Sequence, residues 1–465
     1  MAKATTIETR QCDVIVIGAG ITGLTTAFYL TRRQKNVEVL ERQNRIGGQI
    51  QTFHEDGFVF ESGPNTGVIS CPEVAELFSD LSGDCEPETA FEASKRRLIW
   101  KGECFHPLPS GITSAIFTPL FSLKDKLRIL GEPFRPKGDD PDETIGMLAK
   151  RRLGKSFLDY AVDPFLSGVY AGDPMRLVTR FALPKLYHLE QRYGSFVKGA
   201  IAKIREHKNN RDKLATKQVF SPRNGFSRLI EALERQIGSR RITLGVEDIT
   251  ILPHHNHWKV RFTNSTGRMQ EIHCTQVITT VGAYALPDLL PFIAQEQMHK
   301  ICNLHYAPVI QVSVGLHHTG GIHHAAFGGL IPSCENKPLL GILFPSACFK
   351  NRAPEEGALF SCFIGGVRHP EYLMKSDDEI IALVTDALHS MLHYPLKSNP
   401  DMIRIFRHKK AIPQYDAGCG ERLATIEYLQ KQYPGLVLGG NIRDGIGIAD
   451  RIRQAVALAS DLQLV

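Results

Sequence analysis

No two of the ten cysteines in this 465-residue chain form a CxxC pair. Thiols scattered from Cys12 to Cys419 argue against a disulfide framework or a metal ribbon. They fit reduced side chains in the cytoplasm. No run of 18 apolar residues occurs, so no membrane-spanning helix is expected. The Met1–Thr6 stretch lacks an apolar core, and no secretory signal is expected there. Charge of one sign is missing too. The 55 basic and 49 acidic residues leave a net +6 with no zinc-finger spacing, so nucleic acid is not an expected partner. A GxSxG elbow is absent, which removes the serine-hydrolase reading. His317, His318, His323 and His324 form one cluster, and His254, His255 and His257 another. Neither has a carboxylate or cysteine ligand set beside it. Both read as loop histidines, and no metal is expected.

What the chain does have is a strand, a glycine turn and a helix in sequence. The apolar run Asp13–Ile17 enters Gly18-Ala19-Gly20-Ile21-Thr22-Gly23, and an amphipathic Leu24–Leu30 stretch follows. A second apolar run, Val37–Leu40, ends in Glu41. This is GxGxxG between strand and helix, with an acid about 20 residues on, as a dinucleotide site requires. Gly18 permits the tight turn, Gly20 lets a pyrophosphate approach the backbone, and Gly23 lets helix and strand pack closely. The helix N-terminus offers N–H groups and partial positive charge to the phosphates. Glu41 suits the ribose hydroxyls and would repel a 2′-phosphate, so NADP is not expected.

The length predicts two or three domains. Residues 11–70 form a first βαβ-like unit. Residues 71–219 read as a mostly helical insertion, with helices over Pro72–Leu81, Ser122–Gly131 and Asp142–Leu153. Strands are expected at Arg241–Leu252, Trp258–Phe262 and Gln276–Val281, then at Val309–Leu316, Leu339–Phe344 and Ala358–Ile364. A last glycine turn, Gly439–Ile448, opens a helix. The expected division is a nucleotide domain from 11–70, 220–285 and 405–465, the insertion 71–219, and an α+β substrate domain 286–404. The basic stretch 198–217, with Lys198, Lys203, Arg205, Lys208, Arg211, Lys213 and Lys217, is either a solvated helix and loop or a contact for anionic headgroups or an acidic partner.

Several blocks carry a family resemblance. Arg45-Ile46-Gly47-Gly48 resembles the RxGG extension of the FAD-dependent amine-oxidase and desaturase superfamily. Ser167–Pro174 (SGVYAGDP), Phe360–Gly366 and Ala411–Tyr415 (AIPQY) resemble one branch of it, the oxygen-dependent porphyrinogen oxidases. The resemblance runs from about residue 11 to 460 and implies an α/β, GR2-like Rossmann domain built from discontinuous segments. The implied cofactor is FAD, held non-covalently. Around it the resemblance sets Gly18, Ala19, Gly20, Ile21, Thr22 and Gly23, then Glu41, Arg42, Gly47, Gly48 and Gln49. Gly63, Pro64, Asn65 and Thr66 follow, with Val246 offering its backbone to adenine. Gly440, Ile446, Gly447 and Ile448 place a helix N-terminus at the flavin pyrimidine. The implied reaction is the six-electron oxidation of a porphyrinogen in haem synthesis, with molecular oxygen reoxidising the flavin to give peroxide.

For that substrate the resemblance implies Arg96 as the partner of a propionate, with Arg97 as the alternative. Phe327, Leu330 and Phe363 sandwich the macrocycle, and Asn65 polarises the substrate or tunes the flavin. No acid–base residue is assigned. Protoporphyrinogen IX is the favoured substrate and coproporphyrinogen III the alternative. The resemblance also implies a peripheral membrane surface, and ferrochelatase or a second copy of the chain as protein partners. Cys419 stands where the family has a histidine, and no role is carried onto it. Two rivals remain. An amine or carotenoid oxidase would keep the FAD blocks without SGVYAGDP and AIPQY. A flavin-free prenyl-binding carrier would lose Gly18, Gly20, Gly23 and Glu41, all of which are present.

Overall fold

The computed structural model describes residues 8–206, 209–395 and 400–461, so the Met1–Thr6 stretch and Lys208 lie outside the described residues. A seven-stranded sheet is built on Glu8–Ile17, which pairs in parallel with Val37–Leu40 and with Met269–Thr279. Ile242–Thr243 extends it past Val37–Leu40, and Leu436–Leu438 joins the end of Met269–Thr279. His257–Thr263 and Glu247–His254 complete an antiparallel meander. Val14 and Val16 pack with Leu24 and Phe28 of the Ile21–Arg32 helix. Ile15 and Ile17 pack with Val260, Ile272 and Leu286 on the other face. With both faces covered, this run has to be continuously apolar.

A second seven-stranded sheet runs in the order Met402–Pro413, Tyr306–Leu316, Ala358–Gly365, Leu339–Leu343, Gly328–Leu330, Arg97–Lys101, Cys104–Pro107. Ile310, Val312 and Val314 face the Asp377–Leu392 helix through Ile380, Val384 and Leu388. The opposite face carries buried Gln311, Ser313 and Ser361 and meets the 61–65 segment. Gln311 Nε2 donates to the Glu61 carbonyl at 2.6 Å, and Ser361 Oγ to Asn65 Oδ1 at 2.9 Å. The two sheets are thus joined through the segment that follows the second glycine turn.

Differences from the expected organisation are instructive. The insertion is less strand-poor than its composition suggests, because its Arg97–Lys101 and Cys104–Pro107 hairpin joins the second sheet beside Gly328–Leu330. A short hairpin finds its partner over 220 residues away, which no local pattern announces. Leu286, Leu289, Met298 and Ile301 pack into the nucleotide-sheet core, so a boundary at 285/286 cuts through a core. Residues 405–413 belong to the edge strand of the second sheet, not to the nucleotide domain. The single strand expected over Arg241–Leu252 is broken at Gly245, whose φ of +64° turns the chain. The expected insertion helices form as Pro72–Asp80, Leu123–Leu130 and Ile145–Arg152. Among the described residues no helix is long and apolar enough to cross a membrane.

Candidate active site

Gly18, at φ +102°, ends the first strand and donates its N–H to the Leu40 carbonyl at 2.8 Å. A Cβ on Gly23 would sit 1.9 Å from the Gly18 carbonyl oxygen, whereas one on Gly20 would meet nothing within 4 Å. One glycine is therefore consumed by packing and the other faces open space. The Ile21–Arg32 helix starts there with no side-chain cap and no acid in its first turn. The N–H groups of its first turn, which a helix leaves without an intrahelical acceptor, offer an anion seat. Glu41 is fixed beside it, accepting from the Ala19 N–H at 2.7 Å and the Gln43 N–H at 2.8 Å. Arg42 is exposed next to it.

The RxGG block folds onto the same turn. Gly47 donates its N–H to the Ala19 carbonyl at 2.8 Å, and a Cβ on Gly48 would lie 3.4 Å from the Gly20 Cα. Arg45 holds this second turn by donating to the Ile46, Gly48 and Ile50 carbonyls. The Gln49 amide reaches the Lys410 carbonyl, and the Gln49 carbonyl oxygen would be 2.2 Å from a Cβ on Gly63. Gly63 and Pro64 lead into Asn65 and Thr66. The Asn65 amide is pinned at both ends, by Ser361 and by the Gly63 carbonyl at 3.0 Å. Buried Glu61 meets Arg352 at 3.4 Å and accepts from Thr52 and the Phe226 N–H; burial still pushes its carboxyl upward. Val246 is fully buried, but its N–H is spent on the Glu41 carbonyl at 3.1 Å and is not free for adenine.

The C-terminal turn is held from inside. Gly440, at φ +82°, donates its N–H to Gln454 Oε1 at 2.8 Å and its carbonyl accepts from Arg451, while the Tyr415 hydroxyl accepts from the Gly445 N–H at 2.8 Å. Burial pushes that Tyr415 hydroxyl up to about 12, so it stays a neutral group. Ile446 and Gly447 precede the helix, which begins at Ile448. Cys419 is buried beside Arg422, whose Nη2 lies 3.1 Å from the sulfur, and burial pushes its thiol up to about 11.

The apolar wall expected at Leu330 and Phe363 is a product of strand register. Leu330 pairs with Gly341, and Gly341 with Phe363, so the two side chains share a face with a glycine between them. Two strand spacings, about 9–10 Å, separate their strands. Leu330 also closes on Gly168 of the SGVYAGDP block, where a Cβ would stand 2.4 Å from its Cδ2. Phe363 clusters with Ala171 and Ile412 from the two signature blocks. Arg97 lies on the Leu330 face, because it sits two residues before Ile99, the register partner of Leu330. Its guanidinium is 5.2 Å from the Phe327 ring centroid. Arg96 precedes the strand, and its carbonyl accepts from the Phe327 N–H at 2.9 Å. Sequence reasoning missed Gly341, Gln311 and Ser361. A lone glycine inside an apolar strand was the available signal.

The two signature blocks are neighbours. Gln414 Nε2 donates to the Tyr170 carbonyl at 2.9 Å and to the Ile412 carbonyl at 3.0 Å, and the Val178 N–H donates to the Tyr415 carbonyl at 2.9 Å. The histidine clusters lie elsewhere. His254, His255 and His257 line a cavity of about 510 Å³ with Cys12 and Cys274, and no group among the described residues is disposed to hold a metal ion.

The pattern of the flavin-containing amine oxidoreductase family matches residues 21–453. The chain belongs to that family. Protoporphyrinogen oxidase 1 of Arabidopsis thaliana is 30% identical, the match covering 98% of this chain and 88% of that protein. The coproporphyrinogen III oxidase of Bacillus subtilis is 27% identical over 96% of this chain and 97% of its own. A crystal structure from Exiguobacterium, provisionally named a protoporphyrinogen oxidase, superposes with a TM-score of 0.79 at 22% identity, covering 98% of this chain and 99% of the other. At that identity the last match speaks for the fold alone. The protein is an FAD-dependent oxidoreductase of the porphyrinogen-oxidase branch. Its residues fit the cofactor: the clearance over Gly20, the uncapped helix and the second glycine turn together suit a long dinucleotide.

Proposed function

We propose that this protein oxidises protoporphyrinogen IX to protoporphyrin IX, with oxygen as the final acceptor. The observation that supports the reading is the apolar face that Leu330 and Phe363 share across Gly341, with Arg97 at one end of the same face. When bound, FAD supplies the two-electron acceptor. The residues assigned to it are Gly18–Gly23, Glu41, Arg42, Gly47–Gln49, Gly63–Thr66, the Val246 carbonyl, Gly440 and Ile446–Ile448. Leu330, Phe363 and Phe327 hold the macrocycle and exclude water, and Arg97 takes a propionate. Asn65 presents an amide that Ser361 and Gly63 keep from rotating. No titrating side chain is needed on this face, since the pyrrole N–H groups release their own protons.

The charge of the face favours the dicarboxylic substrate. Arg404, on the same face, is neutralised by Glu55 and Lys101 donates to the Pro119 and Leu120 carbonyls, while Arg97 lies beside the Phe327 ring with no carboxylate partner among the described residues. Protoporphyrinogen carries both propionates on one edge, so one cation suffices. Four propionates around coproporphyrinogen would set carboxylates against apolar walls. Parallel turnover of the two porphyrinogens by purified holoprotein, followed by porphyrin fluorescence, tests the reading. Faster release of protoporphyrin is expected, and preferential turnover of coproporphyrinogen overturns it. Arg97→Ala should raise KM about tenfold, a charge-assisted hydrogen bond being worth about 1.5–3 kcal/mol. Arg96→Ala should leave KM within about twofold.

A further inference from the structure

Two helices near the C-terminus begin in the same way. Cys419–Gln432 and Ile448–Asp461 each follow a glycine, Gly418 and Gly447, and each has an arginine as its fourth residue. Arg422 and Arg451 donate their backbone N–H groups to those glycine carbonyls, at 3.1 and 3.0 Å. Both side chains are buried. Among the described residues their hydrogen-bond partners are all neutral. Arg422 Nε donates to the Ile442 carbonyl at 3.2 Å, and its Nη2 lies 3.1 Å from the Cys419 sulfur. Arg451 donates to the Gly440 carbonyl, to the Arg443 carbonyl at 2.7 Å and to Gln454 Oε1 at 3.1 Å, while its Nε is buried without a partner.

This placement runs against two physical preferences. A cation in the first turn faces the positive end of the helix dipole, and a buried charge is ordinarily paired with an opposite one. Nearby acids do not make up the deficit. Asp444 is held by Arg443 at 2.8 Å and Gln454 at 2.7 Å, and Asp450 by Arg453 at 2.9 Å. Asp416 pairs with His305 at 3.0 Å. The Tyr415 ring, with its centroid 5.8 Å from the Arg422 guanidinium, and the Cys419 thiol both stay neutral, since burial pushes them up to about 12 and about 11. Two guanidiniums are therefore left without a counter-charge, and breaches of local preference of this kind concentrate at functional sites.

The three carbonyls they bind, of Gly440, Ile442 and Arg443, all belong to the turn assigned to the flavin pyrimidine. Gripping a trans peptide by its carbonyl turns its N–H end away from the guanidinium, so the pair also orients the dipoles of that turn. We propose that Arg422 and Arg451 are a built-in counter-charge for the reduced flavin. A hydride entering oxidised FAD at N5 brings two electrons and one proton, and leaves one negative charge shared between N1 and the C2 carbonyl. The oxidised ring is neutral. A fixed positive field therefore favours the reduced state and raises the reduction potential of the flavin. The two arginines are positioning residues, acting through the turn and its field. The inference rests on the assignment of residues 440–448 to FAD and not on which porphyrinogen is oxidised.

Sulfite titration and dye-linked reduction of holoprotein, both without porphyrinogen, test the proposal. Sulfite adds to N5 of oxidised flavin and leaves the same negative charge at N1. Arg451→Gln keeps a donor for the Gly440 carbonyl and removes the charge, whereas Arg451→Lys keeps the charge and loses the fork. The glutamine variant should bind sulfite at least about tenfold more weakly, with a midpoint potential lower by about 30 mV, the equivalent of tenfold in a two-electron couple. The lysine variant should stay within about threefold of wild type. Arg422→Gln and Arg422→Lys should divide in the same way. If the arginines merely brace the turn, lysine and glutamine variants lose melting temperature alike and keep the wild-type potential, which overturns the proposal. Failure of both glutamine variants to take up oxidised FAD overturns it too, since that ring carries no charge for the pair to meet. Ile446→Glu tests the site assignment separately, because a carboxylate on the turn weakens sulfite binding wherever the turn faces the flavin. Holoprotein that shows the charge dependence yet oxidises no porphyrinogen removes the proposed substrate and leaves this inference standing.

Discussion

Gly20 and Gly23 stand three residues apart in one motif and fail differently when a methyl group is added. At Gly23 the obstacle is the backbone oxygen of Gly18, which cannot move aside. Gly23→Ala should destabilise the folded chain by about 1–3 kcal/mol and release flavin. At Gly20 the methyl group meets open space, and φ is −73°. Gly20→Ala should therefore leave apoprotein stability within about 0.5 kcal/mol while weakening FAD binding. Urea unfolding of the apoproteins, with flavin titration alongside, separates the two. Both roles are legible in the GxGxxG spacing. The loss of the Val246 N–H to Glu41 is not, because it depends on how two loops 200 residues apart meet.

Among the larger elements, the SGVYAGDP and AIPQY blocks act as a joint between the insertion and the second sheet. Gln414 is the pin, buried and shared between two carbonyls. Gln414→Leu leaves both acceptors unsatisfied and should cost about 1–3 kcal/mol, read as a lowered urea midpoint with an unchanged slope. A cost below about 0.5 kcal/mol would show that the joint is held by apolar packing around Tyr170 and Tyr415 instead. Strands such as Ala358–Gly365 and helices such as Asp377–Leu392, with its Ser376 and Glu379 capping box, follow from local pattern. The Arg97–Lys101 hairpin does not, since four or five residues of strand say nothing about which sheet they join.

Across the whole molecule, FAD should act as a folding ligand. Its assigned contacts come from segments around residues 20, 48, 65, 246 and 440, which meet only when both sheets are assembled. Adding FAD at about a hundredfold over its Kd should stabilise the apoprotein by about 2.7 kcal/mol, seen as a rise in melting temperature. NADP should give no rise, because Glu41 is fixed where a 2′-phosphate would go. An equal rise with NADP would remove Glu41 from the ribose position.

Read alone, the chain was enough to establish the dinucleotide turn, the FAD extension and the branch of the family. Those signals are local: the sign of φ at a glycine, the hydrophobic period of a helix, and signature blocks a few residues long. The folded molecule had to decide which arginine shares the sheet face of Leu330, what separates Leu330 from Phe363, and which way the Leu123–Leu130 helix faces. Each of these depends on register or packing between segments far apart in the chain. A strand's two faces become distinguishable when its neighbours are in place, and a helix's apolar stripe marks the core unless the fold turns it outward.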